Sequence, residues 1–311
     1  MRILVTGASG LLGLNLCLEK AKEHDIYGIM HQTQLANIPF TLLRQDLTNK
    51  NALSEIFDQA KPELVVNCAA MANVDQCEKH PIPAAKINSE VPGYLAKICA
   101  ERAIPFIHIS TDAVFDGKKG NYKETDIPNP LSIYAKTKLE GEKRVLDVNP
   151  AALIARVNFF GFSITRRRSL AEFFLSNLIS GKKVYGFIDI LFSPMYVNDL
   201  VETLFNMLEN KLTGIYHVVS SDHLSKYDFG ILVSEKFNLD GSIITPESYL
   251  KGNLIAKRSP NLFLDTSKLL STGIEVPNVA LSVDHFYSDY ADGLSDRIQS
   301  FYDGDCLLEE V

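Results

Sequence analysis

RILVTGASGLLG, residues 2–13, decides the fold. Arg2–Thr6 is a short aliphatic and β-branched run of the kind buried on both faces of a parallel sheet. Gly7, Gly10 and Gly13 follow at three-residue intervals, and an apolar stretch over Leu11–Lys22 with helical spacing comes next. Gly7 permits a tight turn, Gly10 lets backbone amides approach a phosphate, and Gly13 lets helix pack closely on strand. The helix N-terminus adds the positive end of its dipole, so the loop reads as a seat for a pyrophosphate. Such a loop can also be a bare connection. What favours the phosphate is that it follows a strand and opens a helix.

Outward from this unit the same rhythm continues. Strands are expected at Ile26–Met30, Phe40–Leu43, Leu64–Asn67, Pro105–Ile109 and Ala152–Val157. Between them lie helical patterns at Lys50–Ala60, Ala84–Arg102 and Leu131–Leu146, the last capped by Asn129 or Ser132. This alternation implies right-handed βαβ units and an α/β fold, a Rossmann-type doubly wound parallel sheet. Beyond residue 157 the rhythm loosens. Ser169 and Glu172 form a capping box for a helix ending at Gly181; Asn198–Glu209 reads as a helix, Lys183–Phe187 and Gly214–Ser220 as strands. Residues 1–157 are therefore read as the dinucleotide-binding domain, rejoined by about 195–220. Residues 158–194 and 221–311 make a smaller C-terminal substrate-binding lobe. The acidic ending DGDCLLEEV is expected to fray.

Bulk properties narrow the function. A net charge of -7 argues against nucleic acid and anionic membranes as partners. No apolar run is long enough to span a bilayer, and the N-terminus has no signal-peptide pattern. The five cysteines are scattered without a C-x-x-C pair, so neither a disulfide framework nor a metal site is expected. Buried structural thiols at Cys17, Cys68 and Cys99 and a cytoplasmic location fit this usage.

The chemistry concentrates further along. Tyr134-Ala-Lys-Thr-Lys138 places a phenol and an ammonium on one helical face. A neighbouring cation favours the phenolate and is expected to bring the Tyr134 pKa toward working range. Ser110-Thr111-Asp112 lies where a parallel strand ends, the usual place for a site in an open α/β sheet. After the second strand, Met30-His31-Gln32-Thr33 offers neither the acid that selects NAD nor an arginine for a 2′-phosphate. Arg166, Arg167 and Arg168 precede the helix capped by Ser169, against its dipole, which suggests an anionic neighbour or else a solvated loop.

The glycine spacing, Tyr134/Lys138 and Thr111 together resemble the extended short-chain dehydrogenase/reductases. Val74-Asp75-Gln-Cys-Glu78, Ser110-Thr-Asp-Ala-Val-Phe-Asp-Gly117, Glu124-Thr-Asp-Ile-Pro128, Gly214-Ile-Tyr-His217 and Leu264-Asp-Thr-Ser-Lys268 are similar to the dTDP-4-dehydrorhamnose reductase group, over almost the whole chain. The resemblance implies NADP or NAD as cofactor, with NADPH preferred for reductive biosynthesis. It implies reduction of the 4-keto group of a nucleotide-linked deoxysugar, with Thr111, Tyr134 and Lys138 catalytic and Ser110 as the alternative hydroxyl. Around the cofactor it implies Gly7, Ser9, Gly10, Leu11, Leu12, Gly13, His31, Asp46, Leu47, Ala69, Ala70, Tyr134 and Lys138. Asn88 takes a structural or relay place. Val114 and Arg166–Arg168 are assigned to the substrate, and a homodimer is left open. Two departures fall on the substrate side: Ala113 stands where the group usually has tyrosine, and Asp189–Met195 lacks the group's Gln, Gly and Thr. A nucleotide-sugar epimerase of the same fold, or a non-catalytic subunit resembling that of methionine adenosyltransferase, are the competing expectations.

Overall fold

The computed structural model describes residues 1–33, 35–251, 257 and 259–302; the expected fraying of the acidic end and Cys306 lie outside them. Seven strands form the central sheet: β1 (Arg2–Thr6), β2 (Asp25–Met30), β3 (Thr41–Arg44), β4 (Leu64–Asn67), β5 (Phe106–Thr111), β6 (Leu153–Val157) and β7 (Gly214–Val218). Their order is β7-β6-β5-β4-β1-β2-β3, and every neighbouring pair is parallel. The chain starts in the middle and winds outward both ways, so it is Rossmann-type. The order reverses between β1 and β4, which opens a crevice beyond their carboxyl ends.

Each face of the sheet is covered by helices. Helix α1 (Leu11–Lys20) and α6 (Val197–Glu209) pack on one face. The other carries α2 (Lys50–Ala60), α3 (Val91–Glu101) and α4 (Ile133–Val148). Strand side chains alternate between these two cores: Ile3 and Val5 enter the first, Leu4 the second. The first core runs on into the C-terminal lobe, where α5 (Leu170–Ile179), α7 (Lys226–Lys236) and α8 (Val279–Ala291) pack. There Phe286 stacks on Phe162 at 4.2 Å and meets Phe160 edge-on at 5.5 Å. Such ring pairs add about 0.5–1.5 kcal/mol each beyond the area they bury.

Local sequence explains the caps. Ser132 accepts from the Ala135 amide at 3.2 Å and opens α4, which settles the choice between Asn129 and Ser132. Ser169 and Glu172 make the reciprocal capping box at α5. The helix expected over Ala84–Arg102 is instead interrupted by a π turn at Lys86–Glu90. Pro92 has no N–H to give the Asn88 carbonyl, so the ladder widens. That carbonyl lies against Gly141 of α4, 2.2 Å from where a Cβ would stand.

Candidate active site

The glycine loop is built for close approach. Gly7 has φ +70, and a Cβ there would stand 2.8 Å from the Ala69 amide nitrogen. A Cβ at Gly13 would sit 2.2 Å from the Gly7 carbonyl oxygen. Gly10 caps α1 with no side-chain hydrogen bond, so the first-turn amides beside Leu11 and Leu12 face outward without a side-chain acceptor. Beside the loop, Thr6 Oγ1 donates to Asn67 Oδ1 at 2.6 Å and accepts from the Ala69 amide at 3.2 Å. The Asn67 amide meets His108 Nδ1 at 2.9 Å, and burial holds His108 far below the usual imidazole range. These contacts fix the turn at Ala69 and Ala70 next to the glycines. A cradle that any Cβ would fill, opposite an uncapped helix start, fits a dinucleotide pyrophosphate.

At the adenosine end, His31 follows β2 and is exposed, and Leu47 is buried. Asp46 turns its carboxylate onto the Thr48 amide at 2.9 Å and the Thr48 hydroxyl at 2.8 Å, which holds its pKa below the ordinary value. The segment just after β2 holds no arginine, yet the sheet supplies one. Met30 of β2 pairs in register with Arg44 of β3, whose Nε donates to the His31 carbonyl at 3.3 Å. The two residues are fourteen apart in the chain and neighbours only because β2 and β3 are adjacent.

Thr111 ends β5, and its hydroxyl donates to Asp112 Oδ1 at 3.0 Å while accepting from the Ala113 amide at 3.2 Å. Tyr134 is in the first turn of α4, half-buried and hydrogen-bonded to Thr111. Ser110 is excluded as the alternative hydroxyl. Alternation along the strand turns it to the opposite face, where Oγ donates to Glu142 at 2.5 Å. Lys138 is buried, and its ammonium donates to the Ile109 carbonyl at 2.6 Å.

The electrostatics correct one expectation. Burial pushes the Tyr134 phenol up to about 12, with Asp112 and Cys77 adding to the rise and Thr111 opposing it. Burial also brings Lys138 down to about 8, against the pull of Glu142. The expected lowering of Tyr134 by Lys138 is therefore not what the fold produces. Desolvation dominates, and the Lys138 ammonium is directed at a backbone carbonyl. Burial likewise raises the Cys68 and Cys99 thiols to about 12 and moves Cys17 upward, as inert structural thiols require. Among the described residues no cluster of ligands suits a metal ion.

Tyr134, Asp112 and Ala113 line a cavity together with Asn158, Lys226 and Lys257. Val114 does not line it. Its side chain is fully buried behind the site with Phe115. The arginine triplet is also elsewhere: Arg168 donates to the Ser9 carbonyl at 3.0 Å, Arg166 pairs with Asp296, and Arg167 is exposed. Neither Val114 nor Arg166–Arg168 lines this cavity, and of the triplet it is Arg168 that reaches the glycine loop. The cavity's cations come from Lys226 at the start of α7 and from Lys257. Neither stands in a local pattern that sequence reading could have flagged. Asn88 has a structural place, bonding Met71 at 2.9 and 3.1 Å and Thr137 at 3.1 Å.

Comparison with known proteins shows the family. The profile of the RmlD substrate binding domain matches residues 1–291. A probable low-salt glycan biosynthesis reductase, Agl14, of Haloferax volcanii is 35% identical, covering 86% of this chain and 91% of that one. Methionine adenosyltransferase 2 subunit beta of Bos taurus is 32% identical, covering 88% and 83%. The structure of dTDP-4-dehydrorhamnose reductase from Bacillus anthracis in complex with NADP superposes with a TM-score of 0.83 at 24% identity, covering 93% and 99%. With the glycine cradle, the Tyr134/Lys138 helix face and a profile match over nearly its full length, the chain belongs to the dTDP-4-dehydrorhamnose reductase family of extended short-chain dehydrogenase/reductases.

Proposed function

We propose that this protein reduces a keto group on a nucleotide-linked deoxysugar. The observation that carries the reading is the gathering of Thr111, Tyr134 and Lys138 around the carboxyl end of β5, beside a cavity with two lysines. A bound nicotinamide dinucleotide supplies the hydride to the carbonyl carbon. Thr111 donates a hydrogen bond to the carbonyl oxygen and Tyr134 gives it a proton. Lys138, one helical turn along the same face, stabilises the charge left on the phenol. Lys226 and Lys257 offer charge-assisted hydrogen bonds to the diphosphate. The test is incubation with dTDP-4-dehydrorhamnose and NADPH, following loss of the reduced cofactor and formation of the deoxysugar product. Absence of turnover with this and other 4-keto nucleotide sugars would sink it. The likeness to the beta subunit of methionine adenosyltransferase favours a second reading, in which the chain binds dinucleotide and a partner without catalysis. Stoichiometric co-elution with a partner and no sugar turnover would select that reading.

NADPH is the preferred cofactor in this proposal. Arg44, exposed beside His31, meets the 2′-phosphate that NADH lacks. Arg44→Glu is expected to weaken NADPH roughly 10- to 100-fold, the worth of a charged hydrogen bond, and to leave NADH unchanged. Titration of intrinsic fluorescence with each cofactor reads the ratio. Equal loss for both cofactors would point to damage of the fold instead.

A further inference from the structure

The hydrogen bonds of Thr111 do not leave it free for the role just proposed. A hydroxyl has one proton to donate and two lone pairs. In the structure the Ala113 amide takes a lone pair at 3.2 Å, and the single proton goes to Asp112 Oδ1 at 3.0 Å. Tyr134 also bonds Thr111. A substrate carbonyl oxygen is an acceptor only, so it must compete with Asp112 for that proton. Asp112 cannot turn away, because Asn158 Nδ2 donates to its other oxygen at 2.6 Å and the side chain is buried.

We propose that Asp112 is a positioning residue that gates Thr111: as a carboxylate it holds the hydroxyl's proton, and as an acid it donates to Thr111 and releases that proton to the substrate carbonyl. The exchange is balanced. Asp112 takes one proton from solvent in the cavity, the Thr111 hydroxyl rotates, and no bond to carbon changes. The inference rests on the keto-reductase reading.

The surroundings suit a carboxyl that takes up a proton near neutral pH. Burial is the largest influence and raises Asp112 to about 6, against hydrogen bonds from Asn158, Thr111 and Ala113. The charged and titratable groups around it are Lys226 from α7, Tyr134 from α4 and Lys257 in the same cavity lining. Among the described residues, Asp112 is the one carboxylate lining that cavity.

The deciding experiment compares Asp112→Asn with the wild type. An asparagine amide donates permanently to Thr111 while its oxygen still accepts from Asn158, so it imitates the protonated acid. For wild type, kcat for reduction of dTDP-4-dehydrorhamnose by NADPH should fall as pH rises through about 6. In Asp112→Asn that limb should vanish, with kcat roughly tenfold above wild type at pH 7, where few wild-type molecules hold the proton. A limb that persists in the variant, or a variant inactive at every pH, overturns the gate. Stability gives a readout that needs no substrate. A folded-state pKa raised from 3.8 to about 6 means that wild type loses stability relative to Asp112→Asn as pH climbs from 4 to 7. Thr111→Val removes a donor to the charged form, so it should move this transition to higher pH. A transition unmoved by Thr111→Val, or no transition at all, overturns the coupling. If wild type shows the coupled transition but no keto-sugar turnover, the reductase reading fails instead.

Discussion

Tyr134→Phe is expected to lower kcat roughly 10²- to 10⁴-fold, the usual worth of a positioned general acid, while leaving NADPH binding nearly intact. The change removes one oxygen at the half-buried first turn of α4 and leaves the ring, the Ser132 cap and the glycine cradle in place. Because burial holds the phenol at about 12, Tyr134 carries its proton throughout the physiological range. That state suits reduction, where the oxygen of the former carbonyl must be protonated. The reverse oxidation needs the phenolate, so its rate should climb as pH rises toward the Lys138 range. Lys138 loses its charge as pH passes about 8, and reduction should decline on that side. Steady-state rates in both directions, with cofactor titration of the variant, check all three statements. Undiminished reduction by Tyr134→Phe would remove this residue from the mechanism.

Glu142→Ala carries the largest expected effect on stability, about 3–5 kcal/mol. Glu142 receives Arg156 Nη2 at 2.7 Å and Nε at 3.0 Å, and both side chains are 2% exposed. Ser110 donates to the same carboxylate at 2.5 Å, so α4, β5 and β6 are tied at one point. Removing the carboxylate strands a guanidinium away from water, over the Phe115 ring at 5.1 Å. Urea unfolding should show a midpoint shifted down with an unchanged slope. Glu142→Met with Arg156→Leu should recover most of the loss, since two apolar groups leave no unpaired charge. A midpoint that stays in place in Glu142→Ala would show that water or another group reaches Arg156. Glu142 also stands one turn beyond Lys138 on α4, so its bond to Arg156 of β6 fixes the part of the helix that presents the ammonium.

Much of the fold was legible because it is written in local patterns. Helix α2 and strands β1 and β4 fall within the boundaries read from the sequence, and the other main-sheet strands within one or two residues. Apolar runs, caps and glycines dictate such elements over a few neighbouring positions. The π turn escaped notice because its cause is a carbonyl freed by Pro92 and received against Gly141, fifty-three residues from Asn88. The short strands of the C-terminal lobe, such as Leu191–Phe192 with Asn261–Leu262, are too brief to show a period.

Residues 2–13 by themselves determined that this protein starts a parallel α/β sheet and can hold a pyrophosphate. The Tyr134–Lys138 spacing determined that phenol and ammonium share a helix face. Tertiary structure decided everything that depends on residues distant in the chain. It set Arg44 beside His31, sent Arg168 to the glycine loop, and put Lys226 and Lys257 in the lining of the cavity beside Tyr134. It also decided the protonation of the site, raising Tyr134 and Asp112 and lowering Lys138. The physical reason is common to all of these. Backbone conformation follows from neighbours in sequence, whereas burial and charge pairing depend on which distant side chains the folded sheet brings together.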